Sequence, residues 1–226
     1  MKPVSVVSGR AVPLDRADVD TDQIIPSDWL KRVERTGFGK GLFAEWRDER
    51  SFVLNDPAYA GATVLVAASN FGTGSSREHA VWALMDYGFE AVVASSFGDI
   101  FRNNCTKQGL VPVQVSPEVD RAILDAVRAD PSLLVTVDVA RGTVECGDVH
   151  APFTLDEFTR QRLLHGWDDI GLTLRHEADI SAYEAARPSW MPSVTATEAT
   201  ATEATATDAA GPTPTAARTP APGSQR

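Results

Sequence analysis

Two cysteines in 226 residues, Cys105 and Cys146, are too few for a disulfide scaffold and too widely spaced for a C-x-x-C site. A four-iron cluster is usually held by three or four thiolates, so this chain cannot hold one alone. Its four histidines, His79, His150, His165 and His176, lack H-E-x-x-H or any comparable ligand spacing, and read as packing or surface residues. Positive charge is in deficit as well. With 21 Lys and Arg against 31 Asp and Glu the net charge is -10, which gives no electrostatic reason to bind nucleic acid or an anionic membrane. No apolar run approaches membrane-spanning length and Met1 to Arg10 has no signal-peptide core, so the expected location is the cytoplasm. Nucleotide fingerprints are missing: Arg77 stands where G-x-G-x-x-G needs its third glycine, and there is no Gly-Lys-Ser/Thr run. There is no Gly-x-Ser-x-Gly elbow for a hydrolase serine either.

Residues 193–226 lack the means to fold. They hold one Val and no aromatic residue, repeat the pentad T-E-A-T-A at 197–201 and 202–206, and end in a Pro-rich run. So little apolar surface cannot offset the entropy of ordering, and the expectation is a disordered Thr/Ala/Pro-rich tail behind one folded domain over 1–192.

What is present centres on Ala68 to Leu84, A-S-N-F-G-T-G-S-S-R-E-H-A-V-W-A-L. Ahead of it the apolar run Ala62 to Ala67 reads as a buried strand; behind it the spacing becomes helical, with Val81, Leu84 and Tyr87 on one stripe. Asn70 to Ser76 is therefore a strand-to-helix turn. Such a turn leaves unpaired N–H groups beside the positive end of a helix dipole, a site for a carboxylate or phosphate. Gly72 and Gly74 permit close backbone approach, Ser75 and Ser76 supply hydroxyls, and Arg77 supplies a planar fork for two-point contact with a carboxylate. Ser75-x-x-Glu78 also fits a capping box, which would explain part of the pattern without any ligand.

Upstream, Val4 to Leu14 reads as an opening strand and Asp15 to Asp22 carries four carboxylates, a solvated loop that fails as a calcium loop. Ser27 to Gly41 is basic, with Lys31, Arg32, Arg35 and Lys40, and its glycines at 37, 39 and 41 predict a mobile end, a lid over an anion or a solvated charge run. Downstream, strand Ala91 to Ser95, helix Phe97 to Gln108 and strand Leu110 to Val115 complete an alternation that predicts an α/β core with parallel pairing. The Ser95–Ser96 turn should then share a crevice with the first turn, while Arg102, Asn103 and Asn104 are unusually polar beside Phe97, Ile100 and Phe101. A helix over Pro117 to Ala129 follows, with strands Leu133 to Val139 and Thr143 to Cys146 turning at Arg141-Gly142. Further helices are expected over Thr154 to His165, capped by Thr154 with Leu155, Phe158, Leu163 and Leu164 as its face, and over Ile180 to Arg187.

Together, D-T-D-Q-I-I-P at 20–26, N-F-G-T-G-S-S-R-E-H-A at 70–80 and F-G-D-I-F-R-N-N-C-T-K-Q-G-L-V-P at 97–112 closely resemble the small subunits of 3-isopropylmalate dehydratases, in the aconitase superfamily. The resemblance covers roughly Lys2 to Pro192 and leaves out the tail. It implies a swivelling β/β/α domain that pairs, as a heterodimer, with a large subunit that holds a [4Fe-4S] cluster, no metal in this chain, and a small dicarboxylate substrate. By the same resemblance Ser75 is the catalytic base, Ser76 and Arg77 bind substrate, Asp22 matches an acidic position near the site, and Lys31 or Arg32 is a second substrate-binding cation. Trp29 to Arg35 is then the expected sensor of the substrate's third substituent. A homoaconitase, or a hydratase of methyl-substituted malate or maleate, would share this chemistry; a non-catalytic anion-binding assembly module would need only the cap.

Overall fold

The apolar runs of the first half pair as the parallel half of one seven-stranded sheet. In the computed structural model, which describes residues 1–31, 36–74, 77–188 and 190–191, the strands are β1 (Val6–Leu14), β2 (Val64–Ala67), β3 (Ala91–Ala94), β4 (Val111–Gln114), β5 (Leu134–Asp138), β6 (Thr143–Cys146) and β7 (Val149–Pro152). Their order is β4-β3-β2-β1-β5-β6-β7. β1 to β4 pair in parallel, and β5 to β7 form an antiparallel meander on the other edge of β1. β2 and β3 are unbroken apolar runs because both their faces are covered, the usual signature of parallel strands under helices.

Side chains alternate cleanly between two cores. Leu65, Ala67, Val92 and Ala94 point to one face, where they meet α3 (Glu78–Tyr87), α4 (Asp99–Gln108) and the segment Val19 to Phe52. Val64, Val66, Ala91 and Val93 point to the other, against α5 (Pro117–Ala129) and α6 (Glu157–His165). Each fully buried Val or Leu contributes about 1.5–3 kcal/mol of transfer free energy, so these two layers hold the sheet edge on which the loops stand. Three further α-helices are short, α1 (Thr21–Ile24), α2 (Ala44–Arg47) and α7 (Asp169–Leu174), and α8 (Glu177–Ala186) is as long as α3. By contact density Met1–Ser181 is one compact unit, and Ala182 onward a second, of which the described residues finish α8 and continue to Met191. The tail 193–226 lies outside the described residues.

Several boundaries differ from those the sequence predicts. α3 starts at Glu78 with Arg77 as an N-cap that makes no side-chain cap bond, and Ser75 of the expected capping box lies outside the described residues. α4 starts at Asp99, because Phe97 is still engaged in a parallel bridge with Phe71. The cap of α6 is Asp156, whose carboxylate accepts from the Thr159 N–H, and not Thr154; Phe158 is 60% exposed and off the buried face. α8 begins at Glu177, earlier than Ile180, and both α7 and β7 are additional to the predicted elements. Hairpin β6–β7 turns at Gly147 with φ 54°, a cue too short for periodicity to register.

Gly72 shows how tightly the central turn is set on this core. Its φ is +76° and a Cβ placed there would lie 2.2 Å from the Phe101 ring. Gly72→Ala should therefore destabilise the chain by about 2–4 kcal/mol, from left-handed strain plus overpacking; a thermal midpoint within a degree of the parent's would contradict this packing.

Candidate active site

Three loops leave the sheet at the C-terminal ends of β1, β2 and β3, and the middle one is laced to both neighbours. From the β1 side, the N–H groups of Gly72 and Thr73 donate to the Val19 carbonyl (2.8 and 3.2 Å) and the Thr21 N–H to the Thr73 carbonyl (3.0 Å). From the β3 side, Phe71 N–H donates to the Ser96 carbonyl (3.0 Å) and Gly98 N–H to the Phe71 carbonyl (2.9 Å). The Asn70 N–H is taken by the Ser96 hydroxyl at 2.7 Å. These bonds, with the isolated bridges Asp20–Thr73 and Phe71–Phe97, carry parallel pairing past the strand ends. The two polar turns thus stand side by side, as their positions after neighbouring parallel strands require.

The four carboxylates of the first loop are each committed. Asp15 pairs with Arg121 and Arg128 at 2.9 and 2.7 Å. Burial works against its charge, but the two guanidiniums outweigh burial and hold its carboxyl below the usual range. Asp18 accepts from the Asn70 side-chain amide at 2.8 Å, and both residues sit in the left-handed region, φ 55° and 57°. Asp and Asn tolerate that region best, and such residues gather at functional sites. Asp20 caps α1 in a reciprocal box with Gln23. Asp22 meets Arg77, Nη1 to Oδ1 2.8 Å, with both side chains reachable by solvent. The loop is therefore a bracing element rather than a solvated run.

Of the predicted site residues the structure brings Asp22 and Arg77 together; Ser75, Ser76 and Arg32 lie outside the described residues. Lys31 is turned to solvent and pairs with Asp28 at 3.1 Å. The expected mobility of the basic loop's end is not what the described part shows. Gly39 N–H donates to the Asp86 carboxylate at 2.8 Å, a Cβ on Gly41 would meet the Trp29 indole at 2.3 Å, and Phe38, Leu42 and Phe43 are fully buried. These glycines are there for close packing, not for hinge freedom. Arg102 of the second motif reaches to the Thr154 carbonyl at 3.3 Å.

His79, one turn into α3, packs between Phe38 and Trp82, with ring centroids at 5.4 and 4.7 Å. Burial, then the Arg77 charge, lowers its pKa, against a smaller opposing pull from Glu78, so it is neutral near pH 7. Cys105 and Cys146 are buried in opposite cores, and burial raises both thiols. Neither is a thiolate poised for a metal, and among the described residues no group of three His, Cys, Asp or Glu is arranged around one point. These residues do not fit an iron–sulfur cluster.

Asp120 is not among the predicted site residues, yet it underlies the second turn; the signal for it is a carboxylate on the apolar stripe of α5. Only 4% exposed, it accepts the Ser95 N–H through Oδ2 at 3.1 Å, while its buried Oδ1 has no hydrogen-bond partner. Burial pushes its pKa up from 3.8 to about 6, with the Ser95 hydrogen bonds and Arg121 pulling down and Asp15 pushing further up. The folded chain thus holds this proton more tightly than the unfolded chain does. The stability it contributes is full below the ordinary carboxyl pKa and is lost as pH rises through about 6. Relative to Asp120→Asn, the parent should gain about 1–2 kcal/mol of unfolding free energy on going from pH 8 to pH 5; urea titrations showing a pH-independent difference would contradict the burial of this charge.

With this geometry in place, comparison with known proteins is direct. Residues 1–118 match the aconitase C-terminal domain, and residues 169–194 match the C-terminal domain of the 3-isopropylmalate dehydratase small subunit. The 3-isopropylmalate dehydratase small subunit of Frankia casuarinae is 60% identical over 193 residues, 85% of this chain and 99% of that one. That of Rubrobacter xylanophilus is 59% identical over 194 residues, 86% of this chain and 100% of that one. The solved 3-isopropylmalate dehydratase from Methanocaldococcus jannaschii shares the fold at TM-score 0.60 and 24% identity, covering 78% of this chain and 98% of that one. Identity of this level along nearly the whole length of its relatives means that the chain belongs to the 3-isopropylmalate dehydratase small-subunit family, built on an aconitase C-terminal-type domain.

Proposed function

We propose that this chain is the proton-transferring and carboxylate-binding half of a hydro-lyase that interconverts 2-isopropylmalate and 3-isopropylmalate through 2-isopropylmaleate, in leucine biosynthesis, together with a large subunit. The observation that carries this reading is the laced backbone 70–73, followed in the chain by an Arg77 guanidinium braced by Asp22 at 2.8 Å, in a chain of this family. Dehydration of a hydroxy diacid removes a proton from a carbon beside a carboxylate and a hydroxide from its neighbour, leaving a C=C bond; rehydration with the opposite regiochemistry gives the isomer. A [4Fe-4S] cluster, which the family resemblance puts on the large subunit, would supply Lewis-acid chemistry at the leaving hydroxyl; the described residues of this chain offer no ligand set for one.

The proton work is assigned to Ser75. A serine hydroxyl is a poor base unless its alkoxide is stabilised, a part assigned here to the positive end of α3 and to the Arg77 charge, both of which follow Ser75 in the chain. Ser76 and its amide support the same oxyanion. Arg77 clamps a substrate carboxylate, with Asp22 fixing the plane of the fork. Lys31 and Arg32 on the neighbouring loop are assigned a second substrate contact, for which Lys31 must leave Asp28. Support for a partner chain comes from apolar side chains left in solvent on α6 and α7: Phe158, Ile170 and Leu174 are 60, 72 and 58% exposed. No described helix is long and apolar enough to cross a membrane.

The test is anaerobic hydration of 2-isopropylmaleate, followed by loss of its ultraviolet absorbance, using a cluster-loaded large subunit with and without this chain. Turnover should require both, fall at least about 100-fold in Ser75→Ala, and show a KM raised about tenfold or more in Arg77→Lys, whose point charge cannot fork. Turnover with citraconate or homoaconitate alone would move the chain to another substrate, and turnover by the large subunit alone would overturn the reading. Deleting residues 193–226 should leave kcat within twofold of the parent; a large loss would give the tail a catalytic part that this reading does not assign to it.

A further inference from the structure

α5 buries Ile123, Leu124 and Val127 on one stripe, and the next position on that stripe toward the N-terminus is Asp120. Helical spacing calls for an apolar side chain there. The chain instead keeps a carboxylate that is 4% exposed, with one oxygen unpartnered, an arrangement that costs stability. A destabilising group retained beside a site belongs to what the site does. What the carboxylate supplies, and an apolar side chain would not, is an acceptor for the N–H of Ser95, the first residue past β3. Ser96 follows, and it holds the other turn twice, through its carbonyl to Phe71 and its hydroxyl to Asn70.

We propose that Asp120 is a positioning residue of the reaction: by fixing the Ser95–Ser96 backbone from beneath the sheet edge, it sets the height and tilt of the Asn70–Thr73 backbone, which leads into the residues assigned above as base and carboxylate clamp. The inference rests on the dehydratase reading above. The bonds run in sequence from Asp120 to Ser95, from Ser96 to Asn70 and Phe71, and from Gly72 to Val19, so the turn is held from behind by α5 and from the side by the β1 loop. Displacing a base by a fraction of an ångström costs proton transfer more than it costs binding.

The experiment uses the assembled two-subunit enzyme and 2-isopropylmaleate. If the parent complex is inactive the functional reading fails first, and the role of Asp120 is then judged with whichever diacid the complex hydrates. With an active parent, Asp120→Ala should lower kcat at least tenfold with KM changed less than threefold, while Asp120→Asn, whose amide oxygen still accepts the Ser95 N–H, should stay within threefold of the parent. Ser96→Ala, which removes a hydroxyl on a half-exposed turn and should fold regardless, tests the next bond in the series. It should lower kcat in the same manner, and the double variant Asp120→Ala/Ser96→Ala should fall by much less than the product of the two losses. Parental kcat in Ser96→Ala, or in a folded and assembled Asp120→Ala, would overturn the proposal. So would an Asp120→Asn loss as deep as that of Asp120→Ala.

Discussion

The backbone of Phe71 to Thr73, hydrogen-bonded to Val19 and Thr21 on one side and to Ser96 and Gly98 on the other, is the constraint on which the rest of the site depends. A turn past a strand end normally has water as its partner, and its position is soft. Here pairing continues beyond the strands, so the turn inherits the rigidity of the sheet below it. The left-handed pair Asp18 and Asn70 marks where the two loops leave that pairing and must change direction.

Charge is handled locally in the same region. The chain carries a net charge of -10, so its overall field repels a dicarboxylate, and only a short-range arrangement can attract one. A brace between Arg77 and Asp22 holds a guanidinium in a defined plane while leaving it within reach of solvent. The neutral, ring-packed His79 adds no second positive charge there and ties the start of α3 to Phe38 in the loop before it. Acidic residues of the first loop are thereby engaged in bracing, each against a different element, instead of crowding Arg77.

The mixed sheet sends its loops out differently in its two halves. Parallel β1 to β4 send all their C-terminal loops to one end, whereas the meander β5 to β7 alternates and closes on itself. α5 crosses beneath β1, β2 and β3 on its way from one half to the other, which brings Asp120 under the turn that follows β3. Apolar side chains left in solvent on α6 and α7 lie in a different part of the chain from the three loops.

The sequence alone determined the parallel core and the place of the strand-to-helix turn after β2, because both are written in local order. Unbroken apolar runs such as Val64–Ala67 and Ala91–Ala94 specify strands buried on two faces, and G-T-G-S-S-R needs no distant partner to be recognised. Helix α5 was readable to the residue, since Ser116, Pro117 and the stripe to Val127 are all local signals. Tertiary structure alone decided what distant residues do for one another. Nothing near Asp15, Asp18 or Asp22 in the chain announces Arg121, Asn70 or Arg77 as partners; these are pairs made by strand order. Gly39 and Gly41 read as a hinge because sequence shows their missing side chains but not the Tyr87 backbone and Trp29 ring packed against them. Asp120 sits on the apolar stripe of α5, which local order records, but its meeting with the Ser95 N–H is decided only when the sheet is laid over the helix, for that contact is a property of the assembled layers.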